Sequence, residues 1–280
     1  MNIDSVEKAE IFPLNPPANG AYSFKGGFPI IQFQIANQDK LLNTGTLRLN
    51  GVLRVSAPGG KEADIKPPTN VSGGAAASNG ISLNSRVGVA SCIGQITLAT
   101  QQNQTLEVVR SYGRYLAPVM SVTHSQSDFD TTNSIGNVAS ASRSFNGARA
   151  VNNDVNFSIP LRTGLLSSGQ PIPLGNNGLR GMLINLELSP DSNVLSGYST
   201  FDADGTETAQ LFNPIGTGAF YQLRDLSLTY DLLVPDDSGK SQMSTPATGN
   251  FVYNSLSHLY GVLNSSDQTT NYNLGTANTL

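Results

Sequence analysis

The chain of 280 residues has no tryptophan, one cysteine and two histidines, and charged residues make up only 13% of it. A single cysteine, Cys92, excludes an internal disulfide framework, and the apolar run around it predicts a small core residue. This usage fits folding in a reducing compartment. Two histidines and one cysteine far apart in sequence lack the ligand spacing of a zinc site. We therefore predict no metal site and no cofactor.

Positive charge is also scarce, because the net charge is −4 and no cluster of lysine and arginine occurs. Phosphate backbones bind to concentrated positive charge, so we expect no direct sequence-specific contact with nucleic acid. No apolar run approaches the roughly 18 residues of a membrane-spanning helix. The first residues lack the basic and apolar regions of a signal peptide. We expect neither a membrane span nor a signal peptide.

The candidates for acid–base catalysis, His124 and His258, both lie among serine and asparagine residues. Ser125, His124 and Asp128 have the residue types of a hydrolase triad, but they are sequence neighbours without a G-x-S-x-G turn. A metal-dependent jelly-roll enzyme of the cupin type needs clustered histidine ligands, and only two histidines exist. We predict no catalytic residue and do not expect an enzyme.

The segment FDADGTET, residues 201–208, resembles the start of a calcium-binding loop through Asp202, Asp204 and Gly205. An EF-hand loop requires glycine at position 6 and glutamate at position 12. Glu207 and Asn213 stand there instead, so the match fails. An Asp-Gly turn is the main interpretation, and a weak calcium site between subunits is the alternative.

The segment DDSGKS, residues 236–241, resembles the end of a phosphate-binding loop. The first glycine of that motif is replaced by Val234, so we interpret LLVPDDSGKS as a strand that ends in a polar turn. Glycosylation sequons also occur in this chain, which is rich in asparagine and serine. We expect them to be accidental and unused; they lie at Asn70, Asn103, Asn156 and Asn264.

Alternation of apolar and polar residues, the period of a strand with one buried face, recurs along the chain in segments such as PIIQFQIAN and GMLINLELS. Gly51 falls on a buried position, which indicates a close approach or a bulge. The phase changes between Leu223 and Leu226, which predicts a bulge. The pattern predicts a shared sandwich interior that contains Ile31, Phe33, Leu47, Leu49, Ile159, Leu161, Leu186, Leu228 and Tyr230.

The segment FSIPLRTGLLSSGQPIPL, residues 157–174, has the pattern of one strand cut in two. Its first part alternates, and then Leu165 and Leu166 break the alternation before a polar turn. Pro171 and Pro173 exclude an ordinary central strand in the second part. We expect an interrupted strand at the edge of a sheet.

A helix is predicted over residues 104–117, where Leu106, Val109 and Gly113 recur at helical spacing. Asn103 or Thr105 is the expected cap, Glu107 suits the first turn and Pro118 marks the end. Gly113 would allow the helix to lie close against a sheet. We expect the helix to pack at one end or side of the sandwich.

Three long polar segments, residues 57–80, 124–154 and 189–218, have compositions that predict loops without regular structure. Loops longer than about 15 residues are uncommon in a compact domain unless they have a role. The sum of strands, one helix and long loops predicts an all-β fold. We expect a jelly-roll β-sandwich of two four-stranded antiparallel sheets with one inserted helix.

The order of these segments resembles that of one family. The series FPIIQFQIANQDKLLNTGTLRLNG, LEVVRSYGRYLAPVM, FSIPLRTGLLSSGQPIPL, GMLINLEL and YQLRDLSLTYDLLVPD is similar to the first part of double jelly-roll major capsid proteins of virophages and Polinton-like DNA viruses. The resemblance covers roughly residues 25–240. It implies an N-terminal arm at 1–24, a first jelly roll at 25–240, and at 241–280 a connector with the possible first strand of a second jelly roll.

The resemblance also implies a function and partners. The chain would be a structural subunit of an icosahedral shell, would form homotrimeric, pseudo-hexameric capsomers, and would contact neighbouring capsomers, minor capsid proteins and penton proteins. It would be made in the host cytoplasm or nucleus and reside in the virion. Two alternatives stay open: a vertex (penton) protein with a single jelly roll, and a receptor- or carbohydrate-binding β-sandwich. The absence of tryptophan disfavours sugar stacking.

Overall fold

The structure is a computed structural model dominated by antiparallel β-strands. It describes residues 2–56, 79–83, 87–123, 154–176, 178–201, 207–212, 219–244 and 255–256. The strands are β1 (Ile3–Ile11), β2 (Ala21–Tyr22), β3 (Ile30–Ile35), β4 (Leu41–Leu42), β5 (Arg48–Ser56), β6 (Asn79–Ser82), β7 (Ile93–Thr100), β8 (Thr105–Arg110), β9 (Val155–Pro160), β10 (Ile172–Pro173), β11 (Met182–Leu188), β12 (Ser196–Phe201), β13 (Glu207–Phe212) and β14 (Phe220–Pro235). The helices are α1 (Tyr112–Thr123), α2 (Asp191–Val194) and α3 (Asp237–Ser244), and a 3₁₀ helix covers Gly88–Cys92.

The first sheet contains seven strands, but they lie along only four lines because short strands follow one another. β14 pairs with β1 and β2 on one side and with β5 and β4 on the other. Leu228 of β14 is paired both with Ile11 of β1 and with Leu49 of β5, so these two strands lie on opposite sides of β14. β9 and β10 then lie beyond β5 and β4.

The second sheet has the order β3-β11-β7-β8, and all its pairs are antiparallel. When the eight lines are lettered B to I in chain order, the first sheet has the order B-I-D-G and the second C-H-E-F. Two four-line sheets in this order constitute a jelly roll. The predicted fold class is therefore confirmed.

The interior lies between the two sheets and forms one continuous hydrophobic cluster. Every residue predicted for the shared interior is at most 5% exposed. Alternation identified these residues correctly because each strand of the two sheets presents one face to the interior and the other outward. The predicted register of the sandwich is confirmed.

The predicted irregularities of β14 and β5 are also present. The pairing of β14 with β5 shifts register between Arg224 and Ser227, and Asp225 has a left-handed backbone with φ 47°. On β5, a Cβ atom added to Gly51 would lie 2.5 Å from Leu226 Cδ2 and 2.9 Å from the Arg224 carbonyl oxygen. Gly51 thus provides the space into which the bulge places Leu226.

Replacing Gly51 with alanine is expected to lower the free energy of unfolding by about 1–3 kcal/mol, since backbone must move to admit the methyl group. Urea denaturation followed by circular dichroism measures this change. The control is Gly94→Ala on β7, where the added Cβ would have its nearest neighbour at 3.3 Å. An equal or larger loss in the control would contradict the assigned close approach.

The segment at residues 157–174 is one strand line interrupted by an insertion. Phe157 pairs with Gly51 of β5, and Ile172 pairs with Leu42 of β4, so the chain resumes the line it left. Between these strands, Leu165 and Leu166 enter the core and are fully buried. The expectation of an interrupted edge strand is confirmed.

The helix predicted over residues 104–117 is partly wrong. Residues 105–110 form β8, the edge strand of the second sheet, and α1 begins only at Tyr112. The proposed caps and the end at Pro118 are wrong, because Pro118 lies inside the helix. Gly113 does permit a close approach, since its added Cβ would lie 3.1 Å from the Ser91 Cα atom of the 3₁₀ helix. The predicted packing of the helix beside the sandwich holds for α1.

The long polar segments are not wholly irregular. β12 and β13 arise within residues 189–218, and β12 pairs with β6, which begins at the end of the 57–80 segment. Composition missed this three-stranded sheet because its strands come from distant parts of the chain. Val194 and Leu195, in the same segment, are buried in the core. Residues 124–153 lie outside the described residues.

The division at residues 1–24, 25–240 and 241–280 stays a prediction. β1 and β2 lie within residues 1–24 and pair with β14. Residues 255–256 lie within the last range and contact the sandwich through hydrogen bonding and packing.

Candidate assembly surface

The residues considered for catalysis and calcium binding lie mostly outside the described part of the chain. This holds for His124, Ser125, Asp128 and His258, and also for Asp202, Asp204, Gly205 and Asn213, whereas Glu207 begins β13. Within the described ranges, no cluster of three or more His, Cys, Asp or Glu residues could hold a metal ion. None of the helices described there is long and apolar enough to cross a membrane.

The segment that resembles a phosphate-binding loop has a different structure from the predicted polar turn, because α3 begins at Asp237 directly after β14. The carboxylate of Asp236 accepts hydrogen bonds from the Gly239 N–H at 2.7 Å and from the Ser238 hydroxyl at 2.8 Å. These hydrogen bonds hold the pKa of Asp236 below its usual value. The Asp236 carboxylate thus caps the start of the helix, where a phosphate-binding loop would present its N–H groups to an anion.

Cys92 and two of the sequons lie in described structure. Cys92 is fully buried, and burial raises the pKa of its thiol, so the expected core role is confirmed. Asn103 lies between β7 and β8 with φ 62°, and Asn156 lies on β9. Asn70 and Asn264 fall outside the described residues.

Large apolar side chains are exposed along one side of the sandwich. We define the apolar edge as five residues near the outer edge of β3 and the turn before it: Phe12, Leu14, Phe24, Phe28 and Ile30. Phe12 is the most exposed of them, at 67%. Ile3 and Val6 of β1 are exposed as well, on the edge strand of the other sheet. Both free edges on this side therefore carry apolar groups.

Asn15 determines how the apolar edge is presented. Its side-chain amide donates to the Ile30 carbonyl at 2.9 Å, and its side-chain oxygen accepts the Gln32 N–H at 3.1 Å. The Leu14 N–H donates to the Gln32 carbonyl at 2.8 Å. The chain before Asn15 is thus attached alongside β3, and it covers backbone groups of a strand edge that would otherwise be open to pairing.

The outer face of the first sheet is polar and internally hydrogen-bonded. Ser158 donates to the Asn50 side chain at 2.7 Å, and Arg48 Nε donates to the Ser158 hydroxyl at 2.9 Å. The guanidinium of Arg54 forms two hydrogen bonds with Asp154, at 2.7 and 2.8 Å. This pairing holds the pKa of Asp154 below its usual value. Asn50, Ser158 and Arg48 thus form one hydrogen-bonded group, and Arg54 is paired with Asp154.

The outer face of the second sheet is polar but almost uncharged. Positions that alternate with the core residues of β3, β7 and β11 are occupied chiefly by amide and hydroxyl side chains: Gln32, Gln34, Gln95, Thr97 and Asn185. Charge is depleted in the centres of protein interfaces, whereas amides can form hydrogen bonds across them. This face and the apolar edge adjoin at Ile30.

Sequence reasoning identified the low charge but not the apolar edge. Residues 1–24 were assigned to an arm, and the pattern of Phe12 and Leu14 does not differ from that of buried residues. The available signal was the pair of prolines at 16 and 17, which ends any regular strand and leaves the preceding apolar residues without an obvious sheet position.

Comparison with known proteins gave structural matches alone, since no family model and no curated protein sequence matches the chain. A chain of the cryo-EM structure of the Sputnik virophage matches over 85% of this chain and 49% of its own, with TM-score 0.47 and 9% identity. The Faustovirus major capsid protein matches over 85% and 56%, with TM-score 0.45 and 9% identity. The mavirus major capsid protein matches over 82% and 47%, with TM-score 0.38 and 10% identity.

The chain spans about half the length of these matched chains. Its own strand order, B-I-D-G packed on C-H-E-F, identifies it as a jelly-roll β-sandwich, and the three solved structures named above come from the Sputnik virophage, Faustovirus and mavirus.

Proposed function

We propose that this chain is a structural subunit of an icosahedral virus shell, and that three copies form a pseudo-hexameric capsomer. The observation that carries the proposal is a complete jelly roll whose free edges on one side bear exposed apolar residues. Exposed apolar residues such as those of the apolar edge are typical of protein–protein interfaces. The trimeric capsomer is proposed because the strand series resembles that of double jelly-roll major capsid proteins.

A structural role without catalysis fits the composition of the described surface. Arg54 is paired with Asp154 on the first sheet, and the outer face of the second sheet presents amide side chains. In the proposed shell, capsomers contact one another, minor capsid proteins and penton proteins. The subunit is made in the host cytoplasm or nucleus and resides in the virion.

The oligomeric state of the purified chain tests this proposal. Native mass spectrometry and light scattering after size-exclusion chromatography are expected to show a homotrimer at micromolar concentration. A pentamer would favour the single jelly-roll vertex protein instead. A stable monomer at high concentration would contradict the shell proposal and favour a binding module.

A further inference from the structure

A buried carboxylate lies at the side of the sandwich opposite the apolar edge. Glu107 is on the edge strand β8 and is only 3% exposed, with its side chain on the interior face. Its two oxygens accept three backbone N–H groups: Gly164 at 2.9 Å, Leu165 at 2.9 Å and Leu256 at 2.7 Å. A charge buried in this way is tolerated only when it is fully hydrogen-bonded.

Two of these donors, Gly164 and Leu165, belong to the insertion between β9 and β10, the two strands that form line G. The turn that contains Gly164 and Leu165 is also held by Thr163, whose hydroxyl accepts the Leu166 N–H at 3.2 Å. Thr163 is itself buried. The Gly164 and Leu165 N–H groups each donate to one oxygen of Glu107, so the turn is attached to β8. This attachment holds the chain away from the sheet at the point where two leucines enter the core.

The third donor comes from a distant part of the chain. Leu256 is 149 residues from Glu107 in sequence, and its N–H donates to the same oxygen that accepts the Gly164 N–H. Its side chain also packs against the core cluster. The titratable groups near Glu107 are Tyr115 and Arg162. The pKa of Tyr115 is raised first by burial and then by the charge of Glu107, whereas the charge of Arg162 lowers it. Among the described residues, Glu107 has no ion pair.

We propose that Glu107 is a latch that holds the segment at residues 255–256 against the jelly roll through its backbone. The same carboxylate anchors the turn of the interrupted strand, so the two attachments share one group. The position of residues 255–256 is then determined by a hydrogen bond as well as by packing of the Leu256 side chain. This inference is independent of the proposed shell function.

Hydrogen exchange measured by mass spectrometry tests the latch in Glu107→Gln. Glutamine replaces one carboxylate oxygen with an NH₂ group that cannot accept a hydrogen bond, and its remaining oxygen is a neutral acceptor. Hydrogen bonds to a neutral acceptor are roughly half as strong as those to a carboxylate. All three contacts are therefore weakened, and those that face the NH₂ are lost. Exchange at Leu256, Gly164 and Leu165 is expected to become about 5- to 10-fold faster where the neutral oxygen replaces the carboxylate, and up to about 100-fold faster where the NH₂ does. The control Glu187→Gln replaces an exposed glutamate of β11 and is expected to leave these amides unchanged. Unchanged protection at Leu256 in Glu107→Gln would overturn the proposal.

A second pair of variants keeps the proposal testable if Glu107→Gln unfolds. Leu256→Pro removes the N–H donor and leaves Glu107 intact, whereas Leu256→Ala keeps the donor and removes most of the side chain. Limited proteolysis with proteinase K, scored at bonds within a few residues of position 256 that do not include the introduced proline, is expected to be rapid in Leu256→Pro and much slower in Leu256→Ala. Faster cutting in Leu256→Ala than in Leu256→Pro would show that side-chain packing holds the segment, and would overturn the latch.

Discussion

Leu186→Ala is expected to lower the free energy of unfolding by about 2–5 kcal/mol, the cost of a large-to-small change in a packed core. Leu186 is fully buried on β11, a central strand of the second sheet. It lies in register between Ile31 of β3 and Ile96 of β7, which are fully buried as well. Neighbours on two paired strands cannot collapse into the cavity without distorting both ladders, so we expect the upper part of this range.

Urea denaturation followed by far-ultraviolet circular dichroism measures this loss, because the chain has no tryptophan for fluorescence. The matched control is Asn185→Ala, one position earlier on the same strand and on the outer face of the sheet. We expect the control to change stability by less than about 0.5 kcal/mol, as for ordinary surface positions. A similar loss in both variants would mean that alternation assigned the wrong face of β11 to the interior.

Alternation predicted the core because a strand with one buried face repeats every two residues. Gly51 was informative for the same reason: a glycine at a buried position must serve a close contact, and the bulge at Asp225 supplies it. These features are local in sequence. They require no knowledge of which strand pairs with which.

Glu107 shows why the helix prediction failed at residues 105–110. A strand with a carboxylate at an interior position does not alternate, and the remaining apolar residues then match a helical period better. The groups that make this glutamate acceptable are backbone N–H donors at residues 164, 165 and 256. Backbone donors leave no trace in the sequence, so composition and periodicity cannot anticipate them.

The apolar edge and the pairing of β6 with β12 were missed for a second physical reason. Phe12 and Leu14 have the same hydrophobicity whether they are buried in a core or exposed for a partner. β6 and β12 meet only because the two loops that carry them lie at the same end of the sandwich. The exposure of Phe12 and Leu14 and the pairing of β6 with β12 both depend on how distant parts of the chain come together in the tertiary structure.

The double variant Phe12→Gln, Leu14→Gln is expected to weaken formation of the proposed trimer by at least about 100-fold. Burial of one large apolar side chain contributes about 1.5–3 kcal/mol, and each 1.4 kcal/mol corresponds to about a tenfold change in affinity. Phe12 and Leu14 are 67% and 55% exposed, so most of their surface is free to be buried by another copy. Analytical ultracentrifugation over a range of concentrations measures the change.

The fold of the subunit is expected to survive this double change, which makes the variant a test of assembly. The attachment of the segment to β3 uses the Leu14 backbone N–H and the Asn15 side chain, and neither is altered. The control Val122→Gln replaces a side chain of α1 that is 87% exposed and is not one of the five residues of the apolar edge. Only the edge variant should lose the trimer, with an unchanged circular dichroism spectrum. If both variants assemble as the parent chain does, subunits meet through another surface, and the charge-poor outer face of the second sheet becomes the next one to test.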